Sequence, residues 1–221
     1  RYCLMRPLRD YHSLIFDCDG VILDSNKLKT DGFFHVAQPY GEAAAEALVT
    51  YHTQNGGMSR YRKFQWLFET HLQRATEAGE IERMAAGFAD YVKGRLLTCA
   101  ITPGLDHLKR ACGNLPWSIV SGSDEAELRD IFDQRGLTAL FDGGIYGSPA
   151  SKHEIFERHF ASGHFDQPAI YFGDSRLDHV VARDFDCDFM FISGWSEFAD
   201  WPDYLQAHDL QHVERLADMI K

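Results

Sequence analysis

Ser13-Leu14-Ile15-Phe16-Asp17-Cys18-Asp19-Gly20-Val21-Ile22-Leu23-Asp24-Ser25 is a short apolar run that passes straight into two carboxylates two residues apart. A near-continuous apolar run of this length reads as a strand covered on both faces, as in a parallel α/β sheet. Carboxylates at the end of such a strand are costly to bury unless a cation holds them. Mg²⁺ meets that need, because it takes a few oxygen ligands and keeps waters that a substrate phosphate can replace. Gly20 lets the backbone turn sharply at this point. Taken alone, Asp-x-Asp-Gly reads equally well as an acidic turn closing a strand.

Moving outward, Trp117-Ser118-Ile119-Val120 before Ser121, Ala169-Ile170-Tyr171-Phe172 before Gly173-Asp174, and Phe189-Met190-Phe191-Ile192 before Ser193-Gly194 repeat the pattern. Gly144-Ile145-Tyr146 is a weaker fifth strand. Helical spacing fills the intervals: Leu105, Leu108 and Cys112; Leu128, Ile131 and Phe132; and Ile155, Phe156 and Phe160 behind the capping box Ser151-Lys152-His153-Glu154. This alternation predicts right-handed βαβ units and an α/β fold, a doubly wound Rossmann-like parallel sheet. Chemistry in such sheets collects at the carboxyl ends of the strands, where Asp17, Ser121 and Asp174 fall.

One stretch lacks strands. Tyr61, Phe64, Leu67, Phe68 and Leu72 share one helical face, and Met84, Phe88, Tyr91, Val92 and Arg95 share another, with Gln54-Asn55-Gly56-Gly57 between two of the helices. The expected organisation is a core of residues 1–25 and 98–221 with an all-helical insertion, or cap, over 26–97.

Three further clusters carry chemistry. In Gly173-Asp174-Ser175-Arg176-Leu177-Asp178 an acidic residue again ends a strand. An Asp at a strand-to-helix turn serves equally as an N-cap, but two acidic clusters ending two strands of one sheet point to a shared cation. Ser121-Gly122-Ser123 offers a hydroxyl and backbone N–H groups for a phosphate oxygen at a helix start, while Ser123 can cap the following helix. Lys152 opens a helix, where a cation opposes the helix dipole. A nearby anion or plain exposure would explain it.

Composition bounds the partners. The 221 residues are 45% hydrophobic and 25% charged, with a formal net charge of -11. That balance argues against a nucleic-acid partner without excluding an anionic substrate, because a bound cation can reverse the sign inside one cleft. The five cysteines (Cys3, Cys18, Cys99, Cys112, Cys187) are scattered and form no CxxC pair, so neither a zinc ribbon nor a disulfide framework is expected. No apolar run reaches membrane-span length, and no signal-peptide h-region stands at the amino end. The expectation is a cytoplasmic protein without a membrane partner.

In order and spacing, Asp17-x-Asp19-Gly20, Ser121, Lys152, and Gly173-Asp174-Ser175 with Asp178 resemble the four motifs of the haloacid dehalogenase superfamily. The resemblance spans nearly the whole chain, and the helical insertion falls where C1 caps sit. It implies a magnesium-dependent phosphatase acting on a small phosphorylated metabolite, such as a sugar phosphate, through an aspartyl-phosphate intermediate. By the same resemblance Asp17 is the nucleophile and Asp19 the general acid/base. Ser121, Gly122 and Lys152 hold the phosphoryl group. Asp17, Asp174, Asp178 and the backbone carbonyl of Asp19 hold Mg²⁺.

Some positions depart from the family pattern. Val21 replaces a common Thr, and His153 stands where relatives often have Pro. His153 and His179 are expected to be uninvolved surface residues, and strand alternation should turn Cys18 away from the two aspartates. Gly57-Met58-Ser59-Arg60 is similar to a Gly-Val-Ser-Arg segment in the cap of β-phosphoglucomutase, which implies that Arg60 meets a distal anion. A solvated Arg at a helix start is the other reading. The chain also resembles phosphoglycolate phosphatase. A sugar phosphomutase and a non-catalytic binding protein on the same fold are the alternative functions. Asp19 argues against phosphonate cleavage and, with the Mg²⁺ site, against halide removal.

Overall fold

The computed structural model describes residues 6–220, so Cys3 lies outside the described residues. Each apolar run forms a strand: β1 (Ser13–Phe16), β2 (Trp117–Asp124), β3 (Gly144–Ser148), β4 (Ala169–Gly173) and β5 (Asp188–Ile192). A further strand, β6 (Gln211–Val213), completes a six-stranded sheet among the described residues, ordered β3-β2-β1-β4-β5-β6. All pairings are parallel.

Side chains on the central strands alternate between two apolar layers. Leu14, Phe16, Ile119 and Phe172 belong to one, Ile15, Val120, Tyr171 and Phe191 to the other. Coverage on both faces is what made these strands read as continuous apolar runs. Phe16 locks the centre, its ring 4.8 Å from both Trp117 and Phe172.

Between β1 and β2 the chain is helical: α1 (Asn26–Ala37), α2 (Glu42–Gln54), α3 (Arg60–Trp66) and α4 (Glu80–Leu96), with a π-helical stretch Leu67–His71 continuing α3. Phe33, Phe64 and Phe88 close their shared interior, ring centroids 4.6 Å apart for Phe33–Phe88 and 5.6 Å for Phe33–Phe64. The remaining helices are α5 (Leu105–Cys112), α6 (Glu125–Gln134), α7 (Lys152–Ala161), α8 (Arg176–Asp184) and α9 (Trp201–His208). The capping box at Ser151 and Glu154 opens α7 as the sequence predicts.

Two local expectations change. Ser123 lies within β2, and Asp124 caps α6 by accepting from Glu127 N at 3.1 Å. His179 is buried, not on the surface. Its Nδ1 meets the Tyr204 hydroxyl at 2.7 Å, away from the aspartates. Cys18 is fully buried in the apolar layer, as strand alternation requires.

The strand order places a switch point between β1 and β4. Successive strands run outward from β1 through β2 and β3, then resume on its other side at β4. Such a sheet opens a crevice at the carboxyl ends of the two strands. Asp17 follows β1 and Asp174 follows β4, so the topology sets them side by side.

Candidate active site

Phe16 pairs with Phe172 across β1 and β4, so the residues that follow each strand face one another. Asp17, Asp174 and Asp178 each offer a carboxylate oxygen, all within 4.8 Å of one another, and all three side chains are buried. Gly20 makes this approach feasible. It has φ +77°, and a Cβ there would lie 2.2 Å from Asp174 Oδ2. Asn26, at the start of α1, donates to the same Asp174 oxygen at 2.6 Å.

Lys152 neutralises part of this cluster. Its ammonium is 3.0 Å from Asp17 Oδ2 and 2.5 Å from Asp178 Oδ1. Burial opposes its charge, but Asp17 and Asp178 outweigh that cost and raise its pKa. Asp17 also accepts from Cys18 N at 2.7 Å, yet burial outweighs Lys152 and brings its carboxyl up to about 7. Burial, then the charges of Asp17 and Asp178, push Asp174 well above the ordinary carboxylate range. Three carboxylates against one ammonium leave an excess of negative charge. Hard oxygen donors in this number suit a divalent cation such as Mg²⁺.

Asp178 plays a different part. Its Oδ1 accepts from Lys152 and the Tyr171 hydroxyl, and its Oδ2 accepts from the Asp174 and Ser175 backbone N–H groups and the Ser175 hydroxyl. With both oxygens engaged, it anchors Lys152 and the 174–175 turn while keeping a carboxylate oxygen within 4.8 Å of those of Asp17 and Asp174.

The Asp19 side chain points away from this cluster. Lys29 Nζ reaches its Oδ2 at 2.6 Å, the Ser123 hydroxyl donates to the same oxygen at 2.8 Å, and Ser25 donates to Oδ1 at 2.5 Å. Burial would raise its pKa, but Lys29 together with the two hydroxyls holds it down at about 2. Ser123, expected to cap the following helix, holds Asp19 instead, and Lys29 belongs to no motif of the sequence. Lys29 shares the buried face of α1 with Phe33, Val36 and Ala37, and a lysine on an apolar face is the signal that marks it.

Ser121 is fully buried at the end of the apolar part of β2, with Gly122 beside it. A Cβ on Gly122 would lie 2.1 Å from the Gly57 carbonyl oxygen, so the β2 loop and the α2–α3 loop meet backbone to backbone. Asp17, Asp19, Ser121 and Gly122 line one cavity of about 70 Å³ with Arg60 and Lys63 from α3. Arg60 is neither solvated nor free. It is 5% exposed, pairs through Nη2 with Glu127, and lies 5.0 Å from the Phe88 ring.

A doubly wound parallel sheet that carries a buried acidic cluster, a buried lysine and a hydroxyl at adjacent strand ends places the chain in the Rossmann-like α/β class. Residues 11–178 match the haloacid dehalogenase-like hydrolases, and the chain belongs to that family of enzymes. Structures agree in fold. A predicted phosphatase from Clostridium acetobutylicum is 15% identical, with a TM-score of 0.71 and coverage of 94% of this chain and 95% of that one. A β-phosphoglucomutase from Clostridium difficile is 18% identical, with a TM-score of 0.69 and coverage of 95% and 93%. A predicted phosphoglycolate phosphatase from Haemophilus somnus is 16% identical, with a TM-score of 0.63 and coverage of 83% and 85%. No curated protein sequence matches the chain. Among the described residues no helix is long and apolar enough to cross a membrane.

Proposed function

We propose that the protein is a magnesium-dependent phosphatase of a small phosphorylated metabolite, working through an aspartyl-phosphate on Asp17, with residues 26–97 acting as a cap. The observation that carries this reading is that Asp17, Asp174 and Ser121 line one cavity, with the buried Lys152 ammonium 3.0 Å from Asp17. Mg²⁺, held by Asp17 and Asp174 with Asp178 behind them, supplies positive charge that lets a phosphate dianion approach a carboxylate.

The chain's own groups do the rest. Lys152, Ser121 and the Gly122 N–H bind the phosphoryl oxygens, and Asp17 attacks phosphorus as the ester oxygen departs. Asp19, ionised when held at about 2, is ready to take a proton from the water that cleaves the acyl phosphate. For the first step it must carry a proton to the leaving alkoxide, and a phosphate dianion close by favours that by raising its pKa.

Lys29 positions Asp19 in this scheme. Lys29→Met removes the ammonium that holds the carboxyl low, so the acidic limb of the pH–rate profile should move to higher pH. An unmoved limb, measured from pH 4 to 9, would separate Lys29 from the proton-transfer step.

Release of inorganic phosphate from a panel of phosphorylated metabolites with Mg²⁺ tests the whole reading, and no release from any ester would overturn it. A phosphomutase is the second reading, favoured by the Gly57-Met58-Ser59-Arg60 segment in the cavity wall. Dependence on a sugar bisphosphate would identify it. In either case Arg60 is the cap residue for a distal substrate anion. Arg60→Ala should lower kcat/KM on substrates carrying such an anion by roughly ten- to a hundredfold, since charge-assisted contacts contribute about 1.5–3 kcal/mol. Turnover of p-nitrophenyl phosphate, which has no second anion, should fall much less. Equal losses on both would point to a damaged cap.

A further inference from the structure

Arg60 and Lys63 stand three residues apart on α3, a spacing that puts both side chains on one helical face. Both are buried and both line the cavity that holds Asp17. Neither has a full complement of partners. Arg60 Nη1 is buried without a hydrogen-bond partner among the described residues, although Nη2 is paired. Lys63 Nζ meets His52 Nδ1 at 2.7 Å and lies 5.2 Å from the centre of the Phe33 ring, and among the described residues no carboxylate lies within ion-pair distance of it.

A buried ammonium facing only a neutral ring is expensive. Burial, with repulsion from Lys29 next, brings the Lys63 pKa down to about 7, and burial also drives His52 well below its ordinary value. His52 is therefore the neutral acceptor that orients the amine. The two neighbouring cations have carboxylate partners: Glu127 pairs with Arg60, and Asp19 pairs with Lys29. Among the described residues Lys63 has no such partner, and the open N–H edge of Arg60 lies on the same face.

We propose that Lys63, oriented by His52 and joined by the free Nη1 of Arg60, binds a carboxylate of the substrate, which makes the substrate a phosphomonoester of a hydroxy acid. This rests on the phosphatase reading above and deepens it. One lysine amine without a carboxylate partner matches a carboxylate monoanion, whereas a second phosphate would bring a dianion. The Phe33 and Phe88 rings beside the two cations exclude water, which strengthens an ion pair formed there.

The test compares matched esters of two lengths on the wild-type protein with Mg²⁺: 3-phosphoglycerate against glycerol 3-phosphate, and 6-phosphogluconate against glucitol 6-phosphate. The carboxylated member of at least one pair should show a kcat/KM at least about tenfold higher, the scale of one charge-assisted contact. Lys63→Met, which keeps the length of the side chain, should bring that ratio close to one. Equal rates within both pairs would overturn the proposal, as would a preference for fructose 1,6-bisphosphate over fructose 6-phosphate in place of any carboxylate preference. If Lys63→Met does not fold, the wild-type ratios decide. If no ester and no p-nitrophenyl phosphate is hydrolysed, the phosphatase reading has failed. Calorimetric binding of the same pairs then reads the subsite alone, with tighter binding of the acids expected and equal binding overturning it.

Discussion

Asp17→Asn should reduce phosphate release by at least about 10³-fold, the scale on which an enzyme loses rate when its nucleophile is removed. An amide keeps the shape of the carboxyl but cannot form the acyl phosphate. The fold should survive, and the sign of the stability change can be derived. Burial brings the Asp17 carboxyl up to about 7, so above that pH the folded protein holds it ionised at a cost in stability that the unfolded chain does not bear. A neutral amide removes that penalty while Asp178 still pairs Lys152. The metal-free variant should therefore melt at or above the wild-type Tm at pH 8. Steady turnover by a folded Asp17→Asn variant would remove the covalent mechanism, and a collapse of Tm would show that the carboxylate is needed structurally.

Much of the molecule was legible because burial on two faces forces a recognisable pattern. β1, β2, β4 and β5 announced themselves as unbroken apolar runs, and the carboxylates after β1 and β4 were conspicuous against that background. β6 gave no such signal. Gln211 and His212 are half-buried and only Val213 is buried, so the strand exists through backbone pairing to β5 and leaves little mark on composition. The site was legible where a single residue breaks a local rule, as Lys152 does at the start of α7. It was illegible where the reason for a residue lies across space.

Lys29 and Lys63 are of that second kind. Each sits on the buried face of its helix, and each makes sense only beside its partner, Asp19 in one case and His52 in the other. Arg60 illustrates the limit of local reading most clearly. Its place after the glycine pair suggested a free side chain, whereas Glu127 and Phe88 hold it inside the cavity wall. The contact of Gly122 with Gly57 explains why: the helical insertion rests on the end of β2, so α3 faces the cavity and not solvent. Any side chain at Gly122 would force the two backbones apart.

Removing metal should abolish turnover, and Mg²⁺ should restore it. Ca²⁺ should serve poorly because it prefers more ligands and a looser geometry. A second readout is independent of activity. In the metal-free protein Asp17 has its pKa raised from 3.8 to about 7, so the folded state binds a proton more tightly than the unfolded chain. For such a carboxyl, stability falls as pH rises between those two values. Asp174 is shifted in the same direction and deepens the loss. A divalent cation favours the ionised carboxylates and relieves the repulsion, so its stabilising effect must grow as the protons leave. The difference in Tm between Mg²⁺-loaded and EDTA-treated protein should therefore be small at pH 5 and clearly larger at pH 8, where it should reach several degrees for stabilisation of about 1–2 kcal/mol. A Tm difference independent of pH would mean that the ion binds elsewhere. Full activity after rigorous chelation would mean that Lys152 alone supplies the charge that phosphoryl transfer needs.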